Sequence, residues 1–226
     1  LETKATLGLA LDGDADRLIA VSGDGAVKDG DQMLCLFATD FARRDLLQSQ
    51  AVVVTVMSNM GLIRAMAQNN IRVEQTSVGD RNVLAAMNEH GIELGGEQSG
   101  HIIFGKHSTT GDGILSGVLL ADLMKRWGGD TVAIAASAMK QHPQVLINIP
   151  VAGLSIDVEN VFAQEIINAT NTLKGTGRVL VRASGTEPIV RVMVEAETEQ
   201  TARSVATALA HDIENHVIGS LPKPGH

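Results

Sequence analysis

The feature that most restricts the fold of this chain is an alternation of short apolar runs with amphipathic stretches. Ala51–Val56 contains no charged residue and a single polar one, Thr55, and a nearly continuous apolar run of this kind is typical of a strand buried on both faces. The periodicity predicts a first helix at 32–47, which Asp31 would cap. After the strand at 51–56 it predicts helices at 61–69, 81–89 and 113–126 and strands at 71–78 and 92–94. Strands and helices in this order predict βαβ units, a mostly parallel sheet and a three-layer α/β domain.

A different order of elements follows a helix predicted over 130–139. Gln141–Pro143 is interpreted as a linker, and the pattern after it predicts a strand, a helix, two strands joined by a short loop, and a closing helix. Their predicted ranges are 144–151, 157–173, 178–182, 189–195 and 200–217. The β-α-β-β-α order predicts a small α+β domain with antiparallel strands. We therefore assign 29–140 to the α/β domain and 141–226 to the α+β domain.

Residues 1–28 are predicted to form a strand pair around an acidic loop, as the remnant of a further domain. An isolated two-stranded hairpin is only marginally stable in water, and its open edge can pair with another chain. We therefore expect this segment to be disordered or packed on a neighbouring molecule. Self-association through its exposed strands is an expected mode of assembly.

Charge and composition exclude several classes of function. The formal net charge is −8, whereas nucleic acids and anionic membrane surfaces select basic faces, so neither is expected as a partner. No uninterrupted apolar stretch reaches the length of a membrane span. The single cysteine, Cys35, lies in an apolar helical stretch and is interpreted as a core residue of a protein from the reducing cytoplasm.

Three aspartates alternate with small residues in the acidic loop. Asp12, Asp14 and Asp16 are separated by Gly13 and Ala15, which let the chain curl and bring three carboxylates to one point. Carboxylate oxygens favour a hard divalent cation, Mg²⁺ first. A solvated acidic turn is the alternative. An EF-hand loop is excluded, because its sixth and twelfth positions, counted from Asp12, hold Arg17 and Gly23 rather than Gly and Glu.

A second polar loop follows the strand at 92–94. Within 95–101, Glu97, Ser99 and His101 alternate and can point the same way from an extended loop, beyond the carboxyl end of a strand where α/β proteins bind ligands. Glu97 and Ser99 can accept hydrogen bonds from hydroxyls or an amine, and His101 can donate to an anion. The alternative is a glycine-rich connection that carries a surface histidine.

A third loop, at 182–188, joins the two strands of the predicted hairpin. This loop combines hydroxyls, a turn with inward N–H groups and guanidinium groups, all of which can donate hydrogen bonds to a phosphate. The residues that would bind it are Arg182, Ser184, Gly185, Thr186 and, on the next strand, Arg191. An ordinary hairpin turn with exposed arginines is the alternative for this loop taken alone.

Together the segments 12–17, 96–101 and 182–188 resemble the metal, sugar and phosphate loops of the α-D-phosphohexomutases, in that family's order and at about its spacing. The resemblance covers essentially the whole chain. It is strongest to the bacterial members that act on glucosamine phosphates, on the segments 56–61, 78–81, 109–113 and 190–195 and the Gln98–Ser99 form of the sugar loop. The roles of Asp80 and Arg81 stay open.

The resemblance implies an isomerase that interconverts glucosamine 6-phosphate and glucosamine 1-phosphate. Family members carry a phosphoserine, hold Mg²⁺ with the three loop aspartates and the serine phosphate, and pass through a sugar 1,6-bisphosphate. Arg17 would stabilise the transferring group, Glu97 and Ser99 would hold sugar hydroxyls, and His101 would contact the ligand. The loop at 182–188 would bind the phosphate that does not react. A mutase for mannose or glucose phosphates and a non-catalytic sugar-phosphate module are the alternatives.

One family element is missing from this sequence. The serine loop has the approximate form T-A-S-H-N-P, and no Ser-His-Asn run occurs here. The chain is therefore expected to contain the end of the second domain and the whole of the third and fourth, and to be inactive alone. Ala15 stands where the family more often has glycine, a change expected to have no obvious cost.

Overall fold

The computed structural model describes residues 2, 4–128, 139–151, 157–185 and 187–220. They form two compact units, Leu1–Gln141 and His142–His226. The helix predicted at 130–139 falls outside the described residues except for its last position, and the division of the first unit into 1–28 and 29–140 stays a prediction. Within the described part of the chain, no helix is both long and apolar enough to cross a membrane.

A four-stranded sheet forms the centre of the first unit. Its strands are β4 (Ala51–Thr55), β5 (Arg72–Thr76), β6 (Leu94–Gly96) and β7 (Ile102–Phe104), in the spatial order β5-β4-β6-β7. β4 runs parallel to β5 and β6, whereas β7 is antiparallel to β6. The mostly parallel sheet is confirmed. The antiparallel edge strand β7 was not predicted, because three apolar residues directly after a polar loop carry no strand periodicity.

Helices cover both faces of this sheet. They are α1 (Gly30–Arg43), α2 (Met60–Gln68), α3 (Asp80–His90) and α4 (Gly113–Arg126). Val52 and Val54 of β4 belong to one hydrophobic core with residues of α1, α2 and α4, whereas Val53 belongs to another with Val83 and Met87 of α3. Alternate residues of one strand thus enter opposite cores, as a buried strand requires. The predicted three-layer α/β arrangement is confirmed.

The N-terminal segment forms a three-stranded antiparallel sheet rather than an isolated strand pair. Its strands are β1 (Leu7–Leu11), β2 (Leu18–Ser22) and β3 (Val27–Lys28), in that spatial order. Leu18 and Ala20 are buried in the same core as α1 and α4. The sheet is therefore anchored to the first unit, which corrects the expectation of a free hairpin. Leu9 and Leu11 of the edge strand β1 are exposed, and self-association through this edge stays a prediction.

Side-chain caps fix where α1, α2 and α4 begin. Asp29, not the predicted Asp31, caps α1: it accepts a hydrogen bond from the Gln32 N–H, and the Gln32 side chain accepts one from the Asp29 N–H. Asp31 instead lies two residues further on, in the first turn of α1, where it is buried and accepts a hydrogen bond from the Asn59 N–H. Asn59 caps α2 by accepting a hydrogen bond from the Gly61 N–H.

The second unit contains a three-stranded antiparallel sheet backed by helices. Its strands are β8 (Gln144–Pro150), β9 (Arg178–Ala183) and β10 (Ile189–Glu195), and β10 lies between the other two. The helices are α5 (Val158–Val161), α6 (Ala163–Thr172) and α7 (Glu199–Ser220). The predicted element order is confirmed, with one correction. The single helix expected over 157–173 is interrupted at Phe162, whose ring is buried in the core.

Candidate functional site

The three aspartates converge in the loop between β1 and β2. One carboxylate oxygen from each of Asp12, Asp14 and Asp16 lies within 4.8 Å of the others, and no other group of this kind occurs among the described residues. Asp16 Oδ1 is buried and accepts no hydrogen bond within the described part of the chain. An all-oxygen donor set with a buried, unsatisfied carboxylate oxygen fits a hard cation such as Mg²⁺.

Arg17 lies against the acidic loop that it ends. Its Nε is 3.6 Å from Asp12 Oδ2 and 3.6 Å from Asp16 Oδ1, and its backbone N–H donates to Asp12 Oδ1 at 3.2 Å. About half of the side chain is exposed. One guanidinium partly balances three carboxylates, so negative charge remains for a cation. The exposed part of the Arg17 side chain can contact a ligand that approaches from solvent.

The second polar loop is a tight turn between β6 and β7. The Glu97 N–H donates to the His101 carbonyl at 2.9 Å, and the Gly100 N–H donates to the Glu97 carbonyl at 3.0 Å. The Glu97 carboxylate accepts a hydrogen bond from the Gly79 N–H at 3.0 Å, directly before α3. The Ser99 side chain is exposed. Glu97 and Ser99 are thus accessible, as a sugar-binding role requires, and that role stays a prediction.

Backbone hydrogen bonds join the acidic loop to its neighbours. The Leu18 N–H donates to the Gly100 carbonyl at 3.1 Å, and the Gly113 N–H at the start of α4 donates to the Ala15 carbonyl at 2.9 Å. The residues in each of these two pairs are more than eighty positions apart in the sequence. The fold places the predicted metal loop and the predicted sugar loop side by side.

His101 lies inside the first unit, between the acidic loop and the segment before α4. Its side chain is only 2% exposed. Nδ1 lies 3.1 Å from Asp16 Oδ2, and Nε2 accepts a hydrogen bond from the Gly111 N–H at 3.0 Å. Both ring nitrogens are therefore used inside the protein, and direct contact of His101 with a ligand stays a prediction without geometric support here.

Gly79, Gly111 and Gly113 are site residues that the sequence analysis did not single out. A side-chain carbon at Gly111 would lie 2.6 Å from the His101 ring, and one at Gly113 would lie 2.6 Å from the Arg17 carbonyl oxygen. Both glycines belong to the segment Thr109–Gly113, which contributed to the family resemblance but received no role. In the sequence, Gly111 and Gly113 stand at the start of the helix predicted over 113–126, and this pair of glycines could have indicated a close approach of another segment.

Alanine at position 15, where the family more often has glycine, has a conformational cost that the sequence did not indicate. Ala15 has φ +59°, in the left-handed region. A Cβ in this region costs roughly 1–2 kcal/mol relative to glycine. The expectation that this change is free of cost is therefore corrected.

Two arginines face each other in the third loop region. Arg182 of β9 and Arg191 of β10 are directly paired across the sheet. Burial, together with the Arg191 charge, lowers the pKa of Arg182. Arg191 also forms an ion pair with Glu187 at 2.7 Å. Like charges placed opposite one another destabilise a sheet, and an anion that binds both would relieve this repulsion.

The hairpin loop itself is partly described. The Ser184 N–H donates to the Ile189 carbonyl at 2.9 Å, and Ser184 Oγ accepts a hydrogen bond from the Glu187 N–H at 3.3 Å. Gly185 is exposed and has open space around it. Thr186 lies outside the described residues. A phosphate-binding role for the loop stays a prediction that the arginine pair supports.

Two family models match the chain. Residues 29–142 match the phosphoglucomutase/phosphomannomutase α/β/α domain III, and residues 146–212 match the C-terminal domain of the same family. The first match alone covers half of the chain.

Curated relatives at 45–50% identity carry a common name. A phosphoglucosamine mutase of Streptomyces coelicolor is 50% identical over 216 residues, which are 95% of this chain and 48% of that protein. A phosphoglucosamine mutase of Staphylococcus epidermidis is 45% identical over the same length, with the same coverage. The chain spans about half the length of the curated relatives it matches.

Solved structures share the fold at lower identity. An Aspergillus fumigatus N-acetylphosphoglucosamine mutase in complex with GlcNAc-6P and magnesium aligns with a TM-score of 0.76 and 23% identity, over 92% of this chain and 48% of its own. A phosphoglucomutase/phosphomannomutase family protein of Burkholderia thailandensis aligns with a TM-score of 0.75 and 20% identity, over 98% of this chain and 49% of its own.

Proposed function

The chain belongs to the phosphoglucomutase/phosphomannomutase family, and from this premise we propose that it is part of a phosphoglucosamine mutase. The parent enzyme would interconvert glucosamine 6-phosphate and glucosamine 1-phosphate through a phosphoserine and a bisphosphate intermediate. The observation that carries the proposal is the junction of the two polar loops of the first unit. The Leu18 N–H donates to the Gly100 carbonyl, and His101 contacts Asp16. A cation held at one loop and a sugar held at the other would therefore be neighbours.

The first unit would supply the cation and sugar sites. Asp12, Asp14 and Asp16 would hold Mg²⁺, which supplies positive charge to a transferring phosphoryl group when it is bound. The guanidinium of Arg17, which is anchored by Asp12 and Asp16, would add charge on the exposed side of the loop. The Glu97 carboxylate, fixed by the Gly79 N–H, and the exposed Ser99 hydroxyl would accept hydrogen bonds from the sugar.

The second unit would bind the phosphate that does not react. Arg182 and Arg191 supply two guanidinium groups, whose planar forks suit phosphate oxygens. Ser184, Gly185 and Thr186 would add hydroxyl and backbone donors from the hairpin loop. Binding at a remote phosphate would orient the sugar at the reacting end, and such binding energy raises the rate of the chemical step.

We expect the purified 226-residue chain to show no mutase turnover. The sequence contains no Ser-His-Asn run that could carry the phosphoryl group, although it contains the predicted cation and sugar loops. The test is an assay of glucosamine 1-phosphate formation with Mg²⁺ and glucose 1,6-bisphosphate present. The full-length Streptomyces coelicolor relative serves as the positive control. Turnover of the isolated chain above the background rate would contradict the requirement for a phosphoserine from outside this sequence.

Replacing Arg182 with glutamine is expected to weaken phosphate binding about 10- to 100-fold, since one charge-assisted hydrogen bond contributes roughly 1.5–3 kcal/mol. The unfolding free energy should change little, because the variant also removes the repulsion with Arg191. Inorganic phosphate is titrated while the amide NMR signals of Ser184 and Gly185 are followed. Arg203→Gln, on the exposed face of α7, removes the same charge elsewhere and is the control. Equal phosphate affinities for the two variants would exclude Arg182 from the site.

Substrate choice and cellular context complete the proposal. The preference for glucosamine phosphates rests on the names of the relatives, and a parent enzyme that prefers mannose or glucose phosphates would overturn it. A parent that binds sugar phosphates without turnover would indicate a non-catalytic module instead. With the proposed substrate, the protein would act in the cytoplasm, on the route to UDP-N-acetylglucosamine and peptidoglycan. It would self-associate through its N-terminal strands, or the parent enzyme would form a homodimer.

A further inference from the structure

The carboxyl ends of three parallel strands lie at one edge of the four-stranded sheet. β4 runs parallel to β5 and to β6, so the segments that follow these strands, 56–59, 77–81 and 97–101, begin at this edge. Open α/β sheets bind their ligands at the carboxyl ends of the strands. The three segments together contain two carboxylates, Glu97 and Asp80. Glu97 has a proposed role in binding sugar hydroxyls, whereas Asp80 has none.

A hydrogen bond joins the start of α3 to the predicted sugar loop. The Gly79 N–H donates to Glu97 Oε1 at 3.0 Å. Gly79 has φ +126°, a backbone conformation that residues with a side chain rarely adopt. Asp80 is the next residue and the first of α3. The glycine turn therefore places Asp80 directly after a backbone group that contacts the Glu97 carboxylate.

The Asp80 side chain is accessible to a ligand. It is exposed, and Oδ1 accepts a hydrogen bond from the N–H of its neighbour Arg81 at 2.8 Å. Across the described part of the chain, no other group donates to this carboxylate and no cation pairs with it. The second oxygen, Oδ2, can therefore accept a hydrogen bond from a bound molecule.

The proposed substrate carries a group that suits a second carboxylate. Glucosamine phosphates have an amine at C2, where glucose phosphates have a hydroxyl. A protonated amine is a cation with three hydrogen-bond donors. Hydrogen bonds between ionised partners are about twice as strong as neutral ones. A carboxylate beside the one that binds sugar hydroxyls would therefore favour the amino sugar over the neutral sugar.

We propose that Asp80 is a specificity-determining residue, whose carboxylate binds the ammonium group of a glucosamine phosphate while Glu97 binds hydroxyls of the same sugar. The proposal rests on the proposed function, because it takes the segment 97–101 as the sugar loop. It gives the preference for glucosamine phosphates a basis in the charges of this chain, beyond the names of its relatives.

Two substitutions in α3 form a matched pair for the test. Asp80→Asn keeps the size of the side chain and an oxygen for the Arg81 N–H, and it removes the charge. Glu89→Gln removes the same charge from an exposed side chain near the other end of α3 and is the control. An acidic residue in the first turn also stabilises a helix. The readout is therefore ligand preference rather than stability, with circular dichroism as the check on folding.

Glucosamine 6-phosphate and glucose 6-phosphate are titrated into each full chain while the amide NMR signals of Gly79 and Ser99 are followed. The two ligands share the phosphate and differ only at C2, so phosphate binding cancels from the ratio of their affinities. We expect the unmodified chain and Glu89→Gln to bind glucosamine 6-phosphate roughly 5- to 30-fold more tightly, between the effect of an exposed ion pair and that of a charge-assisted hydrogen bond. In Asp80→Asn the ratio should fall to about twofold or less, with the affinity for glucose 6-phosphate nearly unchanged.

Failure of this inference is distinguishable from failure of the proposed function. A preference retained in Asp80→Asn, or absent from the unmodified chain, would remove the role of Asp80 and leave the sugar site intact. If Asp80→Asn does not fold, the ¹³C signal of the Asp80 carboxylate in the unmodified chain decides. This signal should shift with glucosamine 6-phosphate and not with glucose 6-phosphate, and equal shifts would overturn the proposal. Binding of neither ligand at millimolar concentration would overturn both the sugar site and the role of Asp80.

Discussion

Replacing Gly100 with alanine is expected to destabilise the first unit by roughly 2–5 kcal/mol, the combined cost of a left-handed conformation and of overpacking. Gly100 has φ +95°, and an added Cβ would overlap the carbonyl oxygen of Leu18. Because the obstacle is backbone, no side-chain rotation can relieve it. The Leu18–Gly100 hydrogen bond would break, and the acidic loop would separate from the polar loop.

Two matched glycine variants separate the two causes of this effect. Gly91→Ala places a Cβ at φ +63° with open space around it, so it should cost only the conformational term of about 1–2 kcal/mol. Gly13 does not have a left-handed φ and has open space around it, so Gly13→Ala should change stability by less than about 1 kcal/mol. Urea unfolding followed by fluorescence of Trp127, the only tryptophan, reports on the first unit. A Gly100→Ala cost no larger than that of Gly91→Ala would contradict the predicted backbone overlap.

Replacing Asp40 with alanine is expected to cost about 2–4 kcal/mol, near the range for removing one partner of a buried ion pair. The Asp40 side chain is 2% exposed and accepts hydrogen bonds from Arg44, which directly follows α1, from Arg126 of α4 and from the ring N–H of Trp127. These bonds connect α1 to α4. The expected cost lies below the upper end of the range for buried ion pairs, because the guanidinium groups of Arg44 and Arg126 are partly exposed to solvent.

The same carboxylate predicts how stability depends on pH. Burial alone would raise the pKa of Asp40, but the hydrogen bonds from Arg126, Arg44 and Trp127 hold it below its ordinary value. A lowered folded-state pKa gives stability that is complete above the ordinary carboxyl pKa of about 3.9 and is lost as the pH falls through the folded-state pKa. The stability difference between the unmodified chain and Asp40→Asn should therefore be large at neutral pH and shrink below about pH 4.

Asp122→Asn is the control for the Asp40 variants. Asp122 also pairs with Arg126, one turn away on the same helix, but its side chain is 54% exposed. Exposed ion pairs contribute roughly 0–1 kcal/mol, so this variant should remain close to the unmodified chain at every pH. Urea unfolding at neutral and acidic pH compares the unmodified chain with Asp40→Ala, Asp40→Asn and Asp122→Asn. A cost for Asp122→Asn equal to that for Asp40→Asn would show that burial of Asp40 is not the source of its effect.

Patterns in the sequence were sufficient wherever a local rule decided the outcome. The helix predicted over 113–126 begins and ends at the residues observed for α4, because Asp112 caps it and its apolar spacing is regular. The run Ala51–Thr55 is a buried strand, as predicted. Asp12, Asp14 and Asp16 were brought together in the prediction by their spacing alone, and the structure brings them together.

Predictions were wrong or incomplete wherever a distant segment decided the outcome. The cap of α1 moved from Asp31 to Asp29 because Asp31 bonds to the Asn59 N–H, 28 residues away. The N-terminal strands are anchored by α1 and α4, which no rule about hairpins could indicate. Ala15 has a positive φ in a loop that is tied to a distant segment, because the Ala15 carbonyl accepts a hydrogen bond from the Gly113 N–H.

The sequence by itself determined the alternation of strands and helices, the two-part organisation and the three polar loops, because periodicity and local spacing depend only on near neighbours in the chain. Only the tertiary structure decided what each polar side chain contacts. His101 lies buried between Asp16 and the Gly111 N–H, which are 85 and 10 residues away in the chain, and its expected contact with a ligand stays a prediction. Burial and hydrogen-bond partners depend on which distant segments pack together, and spacing along one chain does not contain that information.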